Sequence, residues 1–148
     1  MPYGVITGNH DLEGLDEFES DEDNLHAWQK MLGGAKFNDD GSKHPYWSTD
    51  LGDNVLAVGL CTVKFRSAMH SSHEVYVDDE QLAWFEKVIE AHEGWKIVVF
   101  SHAPILGCNL RLLHDVHLKN GCAYVNHSGE IERARKFIEI VQSHDSIK

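Results

Sequence analysis

Short apolar runs alternate with longer amphipathic patterns along this chain. Six runs are typical of strands: residues 3–7, 47–49, 55–65, 75–77, 96–102 and 123–125. Three stretches repeat apolar residues at helical spacing: residues 25–32, 80–92 and 130–142. This alternation predicts an α/β fold in which a layered sheet is flanked by helices, and 148 residues suit a single domain, residues 1–148.

The ends and inward faces of the predicted helices can also be read from the pattern. Asp23 or Asn24 is the expected N-cap of the first helix, and Asp78 or Asp79 that of the second. Residues 51–54 predict a hairpin turn, and a further strand is expected to begin after the third helix. The side chains expected to face inward are Leu82, Phe85, Val88 and Ile89 in the second helix and Ile131, Ala134, Phe137, Ile138 and Val141 in the third.

Two predicted strands end in residues with specific chemistry. Gly8-Asn9-His10-Asp11 follows the first strand, and Ser101-His102 closes the strand of residues 96–102. An amide oxygen is a hard ligand for divalent cations, and an imidazole can bind a metal or donate a proton near neutral pH. Because chemistry in open α/β sheets gathers at the carboxyl ends of strands, these two stretches form the candidate site.

The stretches "GNHD" and "VVFSHAP" resemble the third and fourth signature blocks of the calcineurin-like metallophosphoesterases. The resemblance implies a β-sandwich flanked by helices and a two-metal phosphoester hydrolase with Mn, Fe, Zn or Mg type ions. It implies that Asn9 and His102 are metal ligands, with Asn9 shared between the two ions. It also implies that His10 contacts the substrate phosphate and protonates or stabilises the leaving oxygen, and that Asp11 orients His10.

The sequence departs from the family pattern in its other blocks. Asp-x-His and Gly-Asp-x-x-Asp normally come before the Asn-His block, but only eight residues precede Asn9. Asp115-Val116-His117 comes after the fourth block, Gly52-Asp53 leads to Leu56 where the pattern needs Asp, and Gly-His-x-His is absent. We therefore expect a domain that is incomplete at both ends. With two family ligands, this chain alone is expected to bind metal weakly or not at all and to have little activity.

Further candidates lie in the segment that follows the fourth block. Arg111, whose guanidinium can pair two oxygens, and the histidines His117 and His127 are the candidate substrate-binding residues. The pairs His70/His73 and His114/His117 have a spacing that suits zinc on a helix, but surface or hydrogen-bonded histidines are the favoured interpretation.

Charge and composition indicate which classes of partner and which cellular location to expect. The formal charge is −11, and eight acids fall between Asp11 and Asp23, which disfavours binding to a nucleic acid duplex. No apolar window suits a membrane span and no signal peptide is recognisable, so a cytoplasmic location is expected. Three widely spaced cysteines predict free thiols rather than a disulfide framework.

Two alternatives to a hydrolase domain stay open at this point. One is a non-catalytic binding or scaffold module that keeps the fold without the metals. The other is a split enzyme that a second chain completes. Missing strands would leave sheet edges exposed, so we expect self-association or a complementing chain at those edges.

Overall fold

A computed structural model of the chain describes residues 4–8, 11, 19–31, 44–64, 74–75, 77–103 and 131–147. These residues form a small mixed α/β structure with three helices, a three-stranded sheet and a separate two-stranded sheet. The helices are α1 (Asp21–Met31), α2 (Asp79–Ala91) and α3 (Ile131–Ser143). The strands are β1 (Trp47–Gly52), β2 (Val55–Gly59), β3 (Val63–Lys64), β4 (Glu74–Val75) and β5 (Lys96–Phe100).

The three-stranded sheet has the order β1-β2-β5. β1 and β2 form the predicted hairpin, and its turn residues Asp53 and Asn54 have φ of 53° and 57°. Short polar side chains tolerate this left-handed backbone, which matches the twist of a two-residue hairpin. β2 and β5 run parallel, so their carboxyl ends lie side by side. After α3 the chain returns to the sheet, where Ile147 forms a parallel bridge with Ile97 on β5.

Helices α2 and α3 cover one face of this sheet. The rings of Phe85 on α2 and Phe137 on α3 stack with their centroids 5.5 Å apart. Truncating a buried ring of this kind costs about 3–5 kcal/mol, so this pair is a large part of what joins α2 to α3. The buried residues of the cluster are Leu56, Val58, Leu60, Val77, Leu82, Phe85, Ile89, Ile97, Ala103, Phe137 and Ile140.

The predicted inward faces are largely confirmed where side chains are described. Leu82, Phe85 and Ile89 are buried, and Val88 is partly buried against them. On α3 Phe137 is buried and Val141 packs against the cluster, whereas Ile140, which was not predicted, is buried in preference to the half-buried Ile138. The side chains of Ile131 and Ala134 lie outside the described set.

The N-cap prediction is confirmed for α2 and wrong for α1. Asp78 caps α2, because its Oδ1 accepts a hydrogen bond from Gln81 N at 2.7 Å. In α1 the cap is Ser20, five residues before Leu25, where the pattern predicts the helix to begin. Ser20 Oγ accepts from Asp23 N at 3.0 Å and donates to Asp23 Oδ2 at 2.7 Å. The Asp23 carboxylate therefore holds the capping hydroxyl in place from inside the first turn of the helix.

Two strand predictions need correction. The predicted strand of residues 3–7 is wrong for its described residues: residues 4–8 belong to no strand, and Val5 and Thr7 bond to the side chains of Trp47 and Cys61. The predicted strand of residues 55–65 is divided: β2 ends at Gly59, and β3 belongs to the two-stranded sheet with β4. Leu60 N makes the last bond of the parallel pairing, and the backbone of Cys61 then bonds to the side chain of Gln81 on α2 instead. The predicted strand of residues 123–125 lies outside the described residues.

Candidate functional site

The N-terminal segment, residues 4–8, is held against the sheet by Trp47. The indole Nε1 of Trp47 donates a hydrogen bond to Val5 O at 2.7 Å. The ring lies against the backbone of Gly4 and of Gly59: a Cβ on either glycine would come within 2.3 Å and 2.4 Å of ring atoms. Because Trp47 pairs with Gly59 across the hairpin, the segment lies on the sheet face opposite α2. This contact sets the path of the chain towards Gly8.

Residues 60–62, which we call the connector, join the ends of β2 and β5 to the N-terminal segment. Leu60 N donates to Phe100 O at 2.9 Å, which extends the parallel pairing by one bond. Thr62 Oγ1 accepts from Ala103 N at 3.0 Å. Cys61 Sγ, a thiol rather than a disulfide sulfur as predicted, accepts a hydrogen bond from the Thr7 hydroxyl at 3.1 Å. Each connector residue therefore bonds to a segment that leads into the candidate site.

The polar members of this network are deeply buried. Thr7 is 0% exposed, Thr62 1% and Gln81 2%. Among the described residues, no buried side-chain nitrogen or oxygen atom lacks a hydrogen-bond partner. A satisfied buried network of this kind fixes geometry, since breaking one bond leaves a desolvated polar group behind.

Gly8, Asp11 and His102 come together at the carboxyl end of the sheet. Gly8 N donates to Asp11 Oδ2 at 2.7 Å, and Asp11 N donates to Gly8 O at 3.3 Å. A Cβ on Gly8 would lie 3.1 Å from Cε1 and Nδ1 of His102 and 3.3 Å from Asp11 Oδ2. The imidazole therefore rests against the Gly8 backbone, with the carboxylate near the same point. The two motif stretches, which are far apart in sequence, meet here.

A carboxylate and an imidazole lie close together at this corner, at the carboxyl end of the sheet. Both Asp11 and His102 are exposed to solvent. Imidazole suits transition-metal ions and carboxylate suits harder cations, so the pair fits a divalent metal in donor type. Within the described ranges, no group of three or more His, Cys, Asp or Glu side chains is arranged to hold a metal ion.

The structure describes only part of the predicted site. Asp11 and His102 are described and lie at the same corner. Asn9 and His10 lie outside the described residues, so their predicted roles stay predictions, as does the orientation of His10 by Asp11. The candidate substrate-binding residues Arg111, His117 and His127 lie outside them too, and so do the pairs His70/His73 and His114/His117.

The sequence interpretation missed the network behind the site. The apolar pattern predicts Thr7 within the strand of residues 3–7, and it predicts Cys61 and Thr62 within the strand of residues 55–65. Gln81 is the residue with the clearest missed signal. It is a polar side chain three residues after the N-cap Asp78 and directly beside the inward-facing Leu82, so it lies next to the buried face of α2.

None of the family models, the curated proteins or the solved structures matches this chain. No helix in the described part of the chain is long and apolar enough to span a membrane.

Proposed function

We propose that this chain supplies part of the site of a metal-dependent phosphoester hydrolase of the calcineurin-like type. One observation carries the proposal: the imidazole of His102 lies against Gly8, the residue directly before Asn9. The proposed fold is the layered sandwich of that family, of which the sheet β1-β2-β5 and helices α2 and α3 would form one part.

The roles follow from donor type and position. Asn9 and His102 would hold the metal ions from two chain segments, and Asp11 would keep His10 oriented towards the leaving oxygen. Paired divalent ions, when bound, would supply an activated water and neutralise phosphate charge. Asp11 Oδ2 bonds to Gly8 N, which supports a fixed carboxylate at this corner. Arg111, His117 and His127 would contact the phosphoester substrate.

Manganese binding tests the proposal most directly. Mn²⁺ is titrated into the ¹⁵N-labelled chain, and paramagnetic broadening is followed in its NMR spectrum. We expect the amides of Gly8, Asp11 and His102 to broaden first. His102→Ala should weaken this effect by about 10-fold or more, because loss of even an outer partner of a metal site typically costs 10–100-fold in affinity. His26→Ala, which removes an exposed histidine on α1, is the matched control and should not weaken it.

Turnover separates the hydrolase from its alternative. Hydrolysis of p-nitrophenyl phosphate is measured with and without Mn²⁺ for the wild-type chain and for both variants. We expect slow turnover that requires Mn²⁺ and is lost in His102→Ala. Site-specific Mn²⁺ broadening without turnover would favour a binding module. Equal broadening in wild type and His102→Ala would refute the metal site altogether.

A further inference from the structure

The side chain of Gln81 makes an unusual pair of contacts with the connector. Its Oε1 accepts a hydrogen bond from Cys61 N at 2.8 Å, and its Nε2 donates to Cys61 O at 2.8 Å. One carboxamide thus replaces the two ladder bonds that a neighbouring strand would make with Cys61. Because Gln81 is 2% exposed and lies in the first turn of α2, it ties the connector to the helix that packs on the sheet.

The connector passes this constraint on to both parts of the candidate site. On one side Cys61 Sγ accepts from Thr7, which directly precedes Gly8. On the other side Thr62 Oγ1 accepts from Ala103 N, which directly follows His102. The residues next to Gly8 and His102 are therefore held by two adjacent connector residues, and Gln81 holds the backbone of one of them, Cys61.

We infer that Gln81 and Thr62 are positioning residues that set the separation of Gly8 and His102 and thereby the metal affinity of the site. This inference rests on the proposed function. Neither residue is expected to touch metal or substrate. Their effect is to keep two metal-binding segments in register, and supporting groups of this kind typically change metal affinity by about 10–100-fold.

Thr62 offers the cleanest variants. Thr62→Val keeps the shape of the side chain but removes the acceptor for Ala103 N, whereas Thr62→Ser keeps the hydroxyl. Gln81→Met preserves length and removes both bonds to Cys61. Ile89→Val is the matched control, because Ile89 is buried on the same helix and its aliphatic side chain can form no hydrogen bond to the connector. It should cost about 0.5–1.5 kcal/mol of stability.

Two measurements are made on the complete chain: amide hydrogen exchange at Cys61 and Ala103, and the Mn²⁺ concentration that half-broadens the His102 amide. Thr62→Val should speed amide exchange at Ala103 and raise the Mn²⁺ concentration that half-broadens the His102 amide about 10-fold. Gln81→Met should speed amide exchange at Cys61 and raise the same Mn²⁺ concentration by a similar factor. Thr62→Ser should stay within about twofold of wild type, and Ile89→Val should leave both measurements unchanged despite its lower stability. If Gln81→Met does not fold, the Thr62 pair decides alone.

The failures of the two proposals are distinguishable. If Mn²⁺ broadens the wild-type site and Thr62→Val responds at the same concentration while Ala103 exchanges faster, the positioning role is refuted and the metal site stands. If Ile89→Val weakens Mn²⁺ binding as much as Thr62→Val does, the loss of binding follows the loss of stability alone and the inference is again refuted. If the wild-type chain shows no site-specific broadening, the metal site is refuted and the inference falls with it.

Discussion

Replacing Gly8 by alanine probes the central contact of the candidate site with a single methyl group. The new Cβ would lie 3.1 Å from Cε1 and Nδ1 of His102 and 3.3 Å from Oδ2 of Asp11. Carbon atoms rest comfortably at about 3.5–4.0 Å, so the imidazole must retreat by about 0.5 Å. Gly8 is not among the residues with positive φ, so the substitution introduces the contact without backbone strain.

This displacement is small for the fold and large for a metal site. Functional groups need to be held within about 0.5 Å of their working geometry, and a shift of about 1 Å can cost 100-fold. We therefore expect Gly8→Ala to raise the half-broadening concentration of Mn²⁺ about 10-fold. The free energy of unfolding should change by less than about 1 kcal/mol, because alanine also restricts the unfolded chain and recovers about 0.4–1 kcal/mol in that way.

The assay pairs NMR with urea unfolding, and Gly94→Ala is the matched control. Gly94 has φ of +81° and no heavy atom within 4 Å of a would-be Cβ, so its substitution adds strain without a contact. It should cost about 1–2 kcal/mol of stability and leave the His102 resonances in place. Gly8→Ala should do the reverse: it should shift the imidazole and amide resonances of His102 and leave the unfolding midpoint nearly unchanged.

The His102 resonances of the two variants, taken together, test whether the imidazole lies against Gly8. Unchanged His102 resonances in Gly8→Ala would mean that the imidazole does not rest on Gly8, and the meeting of the two motif stretches would be refuted. A His102 shift of equal size in Gly94→Ala would show that the resonances report general loosening of the fold.

Two further predictions concern the parts of the fold that carry the site. Gly59→Ala places a Cβ 2.4–2.7 Å from the Trp47 ring, which the bond to Val5 O holds in place, so it should cost about 3 kcal/mol in urea unfolding, and wild-type stability would contradict the packing of Trp47 on Gly59. Asp78→Ala removes the N-cap of α2 and should cost about 1 kcal/mol, with Asp78→Asn recovering most of it; equal losses for both would show that the cap bond to Gln81 N is unimportant.

Local signals in the sequence were sufficient for α2 and for the hairpin. Apolar spacing, an aspartate three residues before Gln81 and a glycine beyond the last turn all agree for α2, and the helix forms where they predict it. In the hairpin, Asp53 and Asn54 adopt the left-handed backbone that a two-residue turn requires. These features depend on neighbours in the chain, which is why sequence reasoning reaches them.

The division of the predicted strand of residues 55–65 could not be predicted in the same way. Leu60, Cys61 and Thr62 continue an apolar, β-branched pattern, and propensity alone extends the strand through them. The strand ends because Gln81, brought in by α2, satisfies both backbone groups of Cys61. The Gln81 side chain, 20 residues away in sequence, takes the place of the ladder bonds at Cys61. The local pattern of a single sequence does not show which distant side chain will do this.

The same reasoning explains why the candidate site forms at all. Sequence patterns mark Gly8-Asn9-His10-Asp11 and Ser101-His102 as polar strand ends, but they do not say which ends are neighbours. The parallel pairing of β2 with β5 brings the connector beside Ala103, and the Trp47 indole brings residues 4–8 to the connector from the other face. The first segment reaches His102 without joining the sheet. A Gly8–His102 contact therefore requires the hairpin, the parallel pair and the connector together, and disrupting any one of them should separate the two motif stretches.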